Sequence, residues 1–248
     1  MVLINFLKGA FNYKNKLFKS KIFFACLIIF LITFFYLFWK YQSRLIDTAI
    51  FGGDEWEYQS LGVNLAFGHG YQEGRLEEFP AYKFNTSENL FLYHDPLTGA
   101  HLTYKDYFNQ GGVYSFYRTP GYPVFLALIY KIFGVHPLYV KITQIFLLAV
   151  CAAFLPLIGQ LLWGAVGFGS GIVSAVLFVL FYSPAPAQIM TEPLIVFVLF
   201  VWALLFIYWE KQASFFRTFL LGIFSAVIVL VKGLNIFIPI FFFNLSVF

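Results

Sequence analysis

The feature that most constrains this chain is a series of apolar runs long enough to cross a lipid bilayer. A hydrocarbon core about 30 Å thick needs about 20 predominantly apolar residues per helix. Runs of this kind fall at Ile22–Trp39, Ile142–Trp163, Ala165–Ser183 and Pro193–Trp209, with a shorter one at Phe219–Val231 and the start of another at Ile236–Phe248. Only 11% of residues are charged, against roughly 25% in an ordinary soluble domain, which excludes a soluble globule. The predicted fold class is therefore an all-α integral membrane protein, a multispan helical bundle with a long first exported loop containing interface helices.

Charge placement sets the expected topology. The first 21 residues hold Lys8, Lys14, Lys16, Lys19 and Lys21 and no acid, so the positive-inside rule puts the N-terminus in the cytoplasm. A signal peptide also starts basic, but its apolar stretch runs about 7–15 residues and ends at small residues. Here the run ends on Phe38-Trp39, an aromatic interface belt, and it is expected to stay as an anchor. The chain then divides into a basic tail over 1–21, a first span over 22–39, an exported loop over 40–137, and about four spans plus the start of another over 138–248. The net charge of +4 resolves into this topology. It leaves no basic patch for nucleic acid.

Residues 40 to 120 hold ten of the twelve acids. Turn signals at Gly52-Gly53, Asp95-Pro96 and Gly111-Gly112 alternate there with amphipathic stretches such as Tyr58 to Phe67, which is expected to lie on the membrane as a helix. The run Gly121–Phe133 is apolar but would be only about 20 Å long as a helix, too short to span. Placed in the outer interface, it leaves Lys211 and Arg217 on the cytoplasmic side and Glu192 and Lys232 outside with Asp54. Cys26 and Cys151 sit in apolar runs and read as small buried hydrophobes. His69, His94, His101 and His136 lack zinc spacing, so no metal site is predicted. Asn85-Thr86-Ser87 fits a glycosylation triplet that is frequent by chance.

Four features carry chemistry. Asp54-Glu55-Trp56-Glu57 crowds three carboxylates into four residues, where they raise one another's pKa or share a cation, or else form a solvated acidic turn. Arg118 ends the loop with a planar fork of donors suited to phosphate oxygens, or to anchoring at lipid headgroups. Glu192 begins a span and Lys232 follows one, and ionisable groups at membrane depth are functional candidates by default. Snorkelling to the surface is the plain alternative for Lys232.

The order of parts resembles the multispan glycosyltransferases of the GT-C superfamily. The resemblance rests on Gly53-Asp54-Glu55-Trp56-Glu57-Tyr58, Ala66-Phe67-Gly68-His69-Gly70-Tyr71, Arg118-Thr119-Pro120-Gly121-Tyr122-Pro123, and Ser183-Pro184 followed by Thr191-Glu192-Pro193-Leu194. Its nearest branches are the dolichyl-phosphate-mannose protein mannosyltransferases and the aminoarabinose transferases of lipid A. The chain is shorter than such enzymes and corresponds to an N-terminal half.

The resemblance implies inverting transfer of a sugar from a polyprenyl-phosphate carrier to an acceptor on the outer face. The setting would be a plasma membrane of the bacterial inner-membrane type. Asp54 would be the general base, and Glu55, counted with it as catalytic, would orient the acceptor or donor sugar, as Glu192 would. Tyr58, Arg118, Glu192 and Lys232 would bind substrate, the two cations facing the leaving phosphate. No cofactor is required; a divalent metal beside Asp54 and Glu55 is compatible with the reaction but not demanded by it. The sugar and the acceptor, whether lipid, glycan or protein, cannot be read from the sequence. A polyisoprenoid or lipid transporter, or a non-catalytic truncated membrane protein, is the alternative reading.

Overall fold

The computed structural model describes residues 16–46, 54–73, 92–94, 101–103, 113–114, 118–181 and 188–233. The first four N-terminal lysines but for Lys16 and Lys19, the three turn signals, the glycosylation triplet, Ser183-Pro184 and the run Ile236–Phe248 lie outside the described residues. In chain order the elements are α1 (Lys16–Ile46), α2 (Asp54–Ala66), β1 (Gln72–Glu73), β2 (Leu92–His94), β3 (His101–Thr103), β4 (Val113–Tyr114), α3 (Gly121–Phe133), α4 (Pro137–Phe181), α5 (Glu192–Lys211) and α6 (Phe215–Val231). Among the described residues three stretches are long and apolar enough to cross a membrane: Lys21–Leu45, Pro137–Phe181 and Glu192–Glu210.

The predicted first span, 22–39, is the middle of a longer helix. α1 continues past Trp39 because Leu37, Tyr41 and Leu45, spaced by four, form one stripe that buries against Ile145 and Leu148 of α4. The Lys141 ammonium then donates to the Arg44 carbonyl (2.9 Å), satisfying one of the acceptors that a helix C-terminus leaves open.

α4 contains both predicted spans, 142–163 and 165–183, folded back on each other. Trp163 and Gly164 leave helical geometry, and Gly164 takes φ 61°, which glycine adopts without penalty. The arms pack so closely that a Cβ on Gly159 would collide with the Gly167 backbone and one on Gly171 with Pro156. These pairings run in opposite directions along the chain, so the arms are antiparallel. α5 and α6 form a second hairpin, with Trp202 Nε1 donating to Ser225 Oγ and Trp209 Nε1 to Thr218 Oγ1, both at 2.9 Å. Its far end is closed by Ser214, whose hydroxyl caps α6, and by the Arg217 guanidinium lying 4.1 Å from the Tyr208 ring centroid.

Besides its helix the loop carries two short antiparallel ladders among the described residues, β1 with β4 and β2 with β3. Polar segments bounded by Gly and Asp-Pro turn signals gain more from pairing with each other than from a helix. The second ladder sets His94 opposite His101, a juxtaposition their spacing did not reveal. The stretch from Tyr58 is helical, as expected, but packed within the protein. Its helix starts four residues earlier, at Asp54, with three acids in the first turn where the helix dipole favours them. The consecutive residues Tyr58 to Asn64 are all buried inside the protein.

α3 matches its predicted bounds. Tyr122, Pro123, Leu126, Ile129 and Tyr130 are buried, while Val124, Leu128, Ile132 and Phe133 on the other side are exposed. The main core joins α2, α3, the start of α4, α5 and α6 through residues such as Tyr58, Tyr122, Leu126, Ile189, Trp202 and Ile228.

Candidate functional site

Four chain segments far apart in sequence converge at one end of the helices. The short β1–β4 ladder closes the loop, and Asn64 Nδ2 donates to the Gln72 carbonyl (2.7 Å) to hold it to α2. The Tyr71 hydroxyl then donates to the Arg118 carbonyl (2.8 Å), which fixes the backbone from which the guanidinium projects. One residue on, the Thr119 hydroxyl donates to the Val231 carbonyl (2.9 Å) at the end of α6. Gly121 packs so tightly there that a Cβ would lie 2.7 Å from the Leu230 carbonyl. The Arg-Thr-Pro-Gly segment is thus a joint between α3 and α6.

Helical spacing sorts the carboxylates of α2 onto two faces. Asp54, Glu57 and Tyr58, at positions i, i+3 and i+4, face Arg118. Its Nη2 bonds the Asp54 carboxylate, its Nε donates to Glu57 Oε2, and its guanidinium carbon sits 5.1 Å from the Tyr58 ring centroid. Burial pulls the Arg118 guanidinium down, but the bonds and charges of Glu57 and Asp54 outweigh it and hold the group above its ordinary value. Arg118 is a permanent cation. Burial pushes the Tyr58 phenol up, and the charges of Asp54 and Glu192 add to this against the opposing pull of Arg118, so the phenol stays neutral.

Glu55 faces the other way. It is 5% exposed, and its Oε1 accepts from the Ile189 backbone N–H (3.2 Å) and from Gln59 Nε2 (3.5 Å). Adjacent helical residues point about 100° apart, so Glu55, expected beside Asp54 as a catalytic carboxylate, lies on a different side of α2 from Asp54. On the same side Tyr122 donates to Gln144 Oε1 (2.5 Å), and Gln144 Nε2 donates to the Gln188 carbonyl (2.6 Å). Burial holds the Tyr122 phenol well above its ordinary value. Glu55 and Gln144 together suspend the segment that leads into Glu192.

Glu192 opens α5 and pairs with Lys232 at the end of α6, Nζ to Oε1 at 3.1 Å, both side chains about two-fifths exposed. The two ion-paired groups share this end of the structure, since Thr119 touches Val231 and the Glu192 charge reaches Tyr58. The structure therefore brings together Asp54, Tyr58, Arg118, Glu192 and Lys232, and sets Glu55 behind them. Sequence reasoning placed Glu57 in the acidic cluster without pairing it with Arg118, and assigned no role to Gln144 or Lys141. The i, i+3 spacing of Asp54 and Glu57 was the available signal for the first; the other two act on partners 44 and 97 positions away. No group of three or more His, Cys, Asp or Glu able to hold a metal occurs among the described residues. Comparison with known protein families, with curated proteins and with solved structures finds no match for this chain.

Proposed function

We propose that the chain carries the active-site end of a membrane glycosyltransferase, which moves a sugar from a polyprenyl-phosphate carrier to an acceptor at the outer face of the membrane. The observation that carries this reading is the bonding of Arg118 to Asp54 and Glu57 beside the Glu192–Lys232 pair. A half-exposed carboxylate suited to accepting a proton lies next to cations suited to a phosphate, and both sit beside a short apolar helix. In the proposed reaction the acceptor oxygen attacks the anomeric carbon, its proton passes to Asp54, and the carbon–oxygen bond to the phosphate breaks with its electron pair staying on the phosphate. Inversion follows from attack on the face opposite the leaving group.

Charge developing on the leaving phosphate is met by Arg118 and Lys232. Tyr58, kept neutral, serves as a hydrogen-bond donor and as the ring on which Arg118 rests. Glu55 has a positioning role through Ile189 and does not touch the reacting atoms. α3 offers its exposed apolar side to the carrier's lipid tail, lying along the outer interface. The bundle sits in a plasma membrane with Lys211 and Arg217 inside. A divalent metal is not needed for any step.

The test is transfer from radiolabelled polyprenyl-phosphate sugars in membranes that contain the protein. Label is expected to move to an acceptor fraction with wild type and to stay on the carrier with Asp54→Asn. Transfer that persists at the wild-type rate in Asp54→Asn removes the base assignment.

A further inference from the structure

Both cations that this site offers to an anion among the described residues are already occupied. Arg118 donates from Nε to Glu57 and from Nη2 to Asp54, and Lys232 donates to Glu192. Three carboxylates against two cations leave this cluster at −1, and Glu55, buried on the opposite face of α2, adds a further acid nearby. A phosphate ester brought up to intact pairs would meet net negative charge. The repulsion between like charges a few ångströms apart is large wherever solvent is partly excluded.

The way in is exchange. Two of the pairs are open to water, with Asp54 51% exposed and Glu192 and Lys232 about two-fifths exposed, and ion pairs of this exposure are weak; Glu57, 26% exposed, is the better covered of the partners of Arg118. Arg118 itself is better held than its partners. It is 23% exposed, its backbone carbonyl accepts from Tyr71, and its guanidinium rests on Tyr58. The cation stays while the carboxylates can leave. A phosphate has the geometry to take two donors of the guanidinium fork at once, which neither carboxylate does here.

We infer that phosphate binding at this site is an anion exchange, in which the incoming group displaces Asp54 and Glu57 from Arg118 and Glu192 from Lys232. The inference rests on the phosphate-ester ligand of the proposed function and adds an order of events. Asp54 is tied to Arg118 until the phosphate takes its place, and only then is it released to accept a proton. The three carboxylates are competitors of the ligand, so neutralising them strengthens binding even where it abolishes transfer.

The experiment measures binding of farnesyl phosphate to the full chain in detergent micelles by titration calorimetry, with farnesol and inorganic phosphate as separate arms. Asp54→Asn and Glu57→Gln, both close in size to the native residues, are each expected to tighten farnesyl phosphate binding about three- to tenfold. Farnesol binding should not change. Arg118→Ala should weaken farnesyl phosphate binding by about tenfold or more. If both carboxylate variants bind as wild type does or more weakly while Arg118→Ala still loses affinity, the exchange is overturned and the phosphate site stands. If Arg118→Ala binds normally, the phosphate reading falls and the exchange with it. An equal gain with inorganic phosphate supports exchange but reassigns the site to free phosphate in place of a lipid carrier.

Discussion

The neighbouring acids Asp54 and Glu55 make opposite predictions, and Glu55 is the sharper because its cost can be worked from its contacts. Glu55→Ala removes the acceptor of the Ile189 N–H, and Ile189 is fully buried. A buried donor left without a partner costs about 1–3 kcal/mol. The Gln59 contact, at 3.5 Å, lies at the edge of hydrogen-bonding distance and adds little. A total near 2 kcal/mol should lower the melting temperature of a chain this long by about 4–8 °C. Glu55→Gln keeps an acceptor oxygen in place and should lose about 1 kcal/mol or less. Thermal unfolding of the purified protein in detergent, followed by circular dichroism, measures both variants. If Glu55→Ala melts with wild type yet abolishes transfer, Glu55 is a reacting group and the anchoring role drawn from its burial is wrong.

Asp54→Asn should reduce transfer by about 10²-fold or more, the usual contribution of a positioned base, while its melting temperature stays within a degree or two of wild type, because the group is half exposed; the transfer assay and the same melts decide it. Trp202→Phe removes the indole donor to Ser225 between α5 and α6 and should cost about 1 kcal/mol, read as a lower denaturation midpoint in detergent. Replacing Gly167 by Val places a side chain where the Gly159 backbone already lies, so the α4 hairpin should fail to close and the yield of folded protein on size-exclusion chromatography should collapse. A cysteine at position 232 should react with an impermeant reagent from outside and one at 211 should not; labelling of 211 from outside would reverse the topology.

Along the helices the sequence was most readable where burial follows a simple period. The bounds of α3 were given by its apolar run, and the Trp163–Ala165 turn by a glycine between two spans. α1 was read too short because an apolar window stops at Lys40, whereas the helix runs on with Tyr41 and Leu45 packed in the cluster that holds Ile145 and Leu148 of α4. α2 was harder. Gln59, Ser60 and Asn64 are of residue types that are mostly exposed, yet all three are buried. Tyr130 donates to Gln59 from 71 positions away, and Glu55 reaches Ile189 across 134. No local pattern encodes such partners.

The same limit explains what the motifs gave and withheld at the site. The Asp-Glu-Trp-Glu-Tyr and Arg-Thr-Pro-Gly-Tyr-Pro segments named most of the participants, because each carries groups whose chemistry is visible in isolation. How those groups pair depends on the helical face each occupies and on the β1–β4 ladder, which sets where the loop closes. Read singly, Arg118 is a free cation waiting for phosphate, and Asp54 is a free base. Folded together, each occupies the other. On the proposed function, an internal ion pair has to break before the base and the anion site are both in use. The binding affinities of Asp54→Asn and Glu57→Gln therefore bear on mechanism as directly as their rates do.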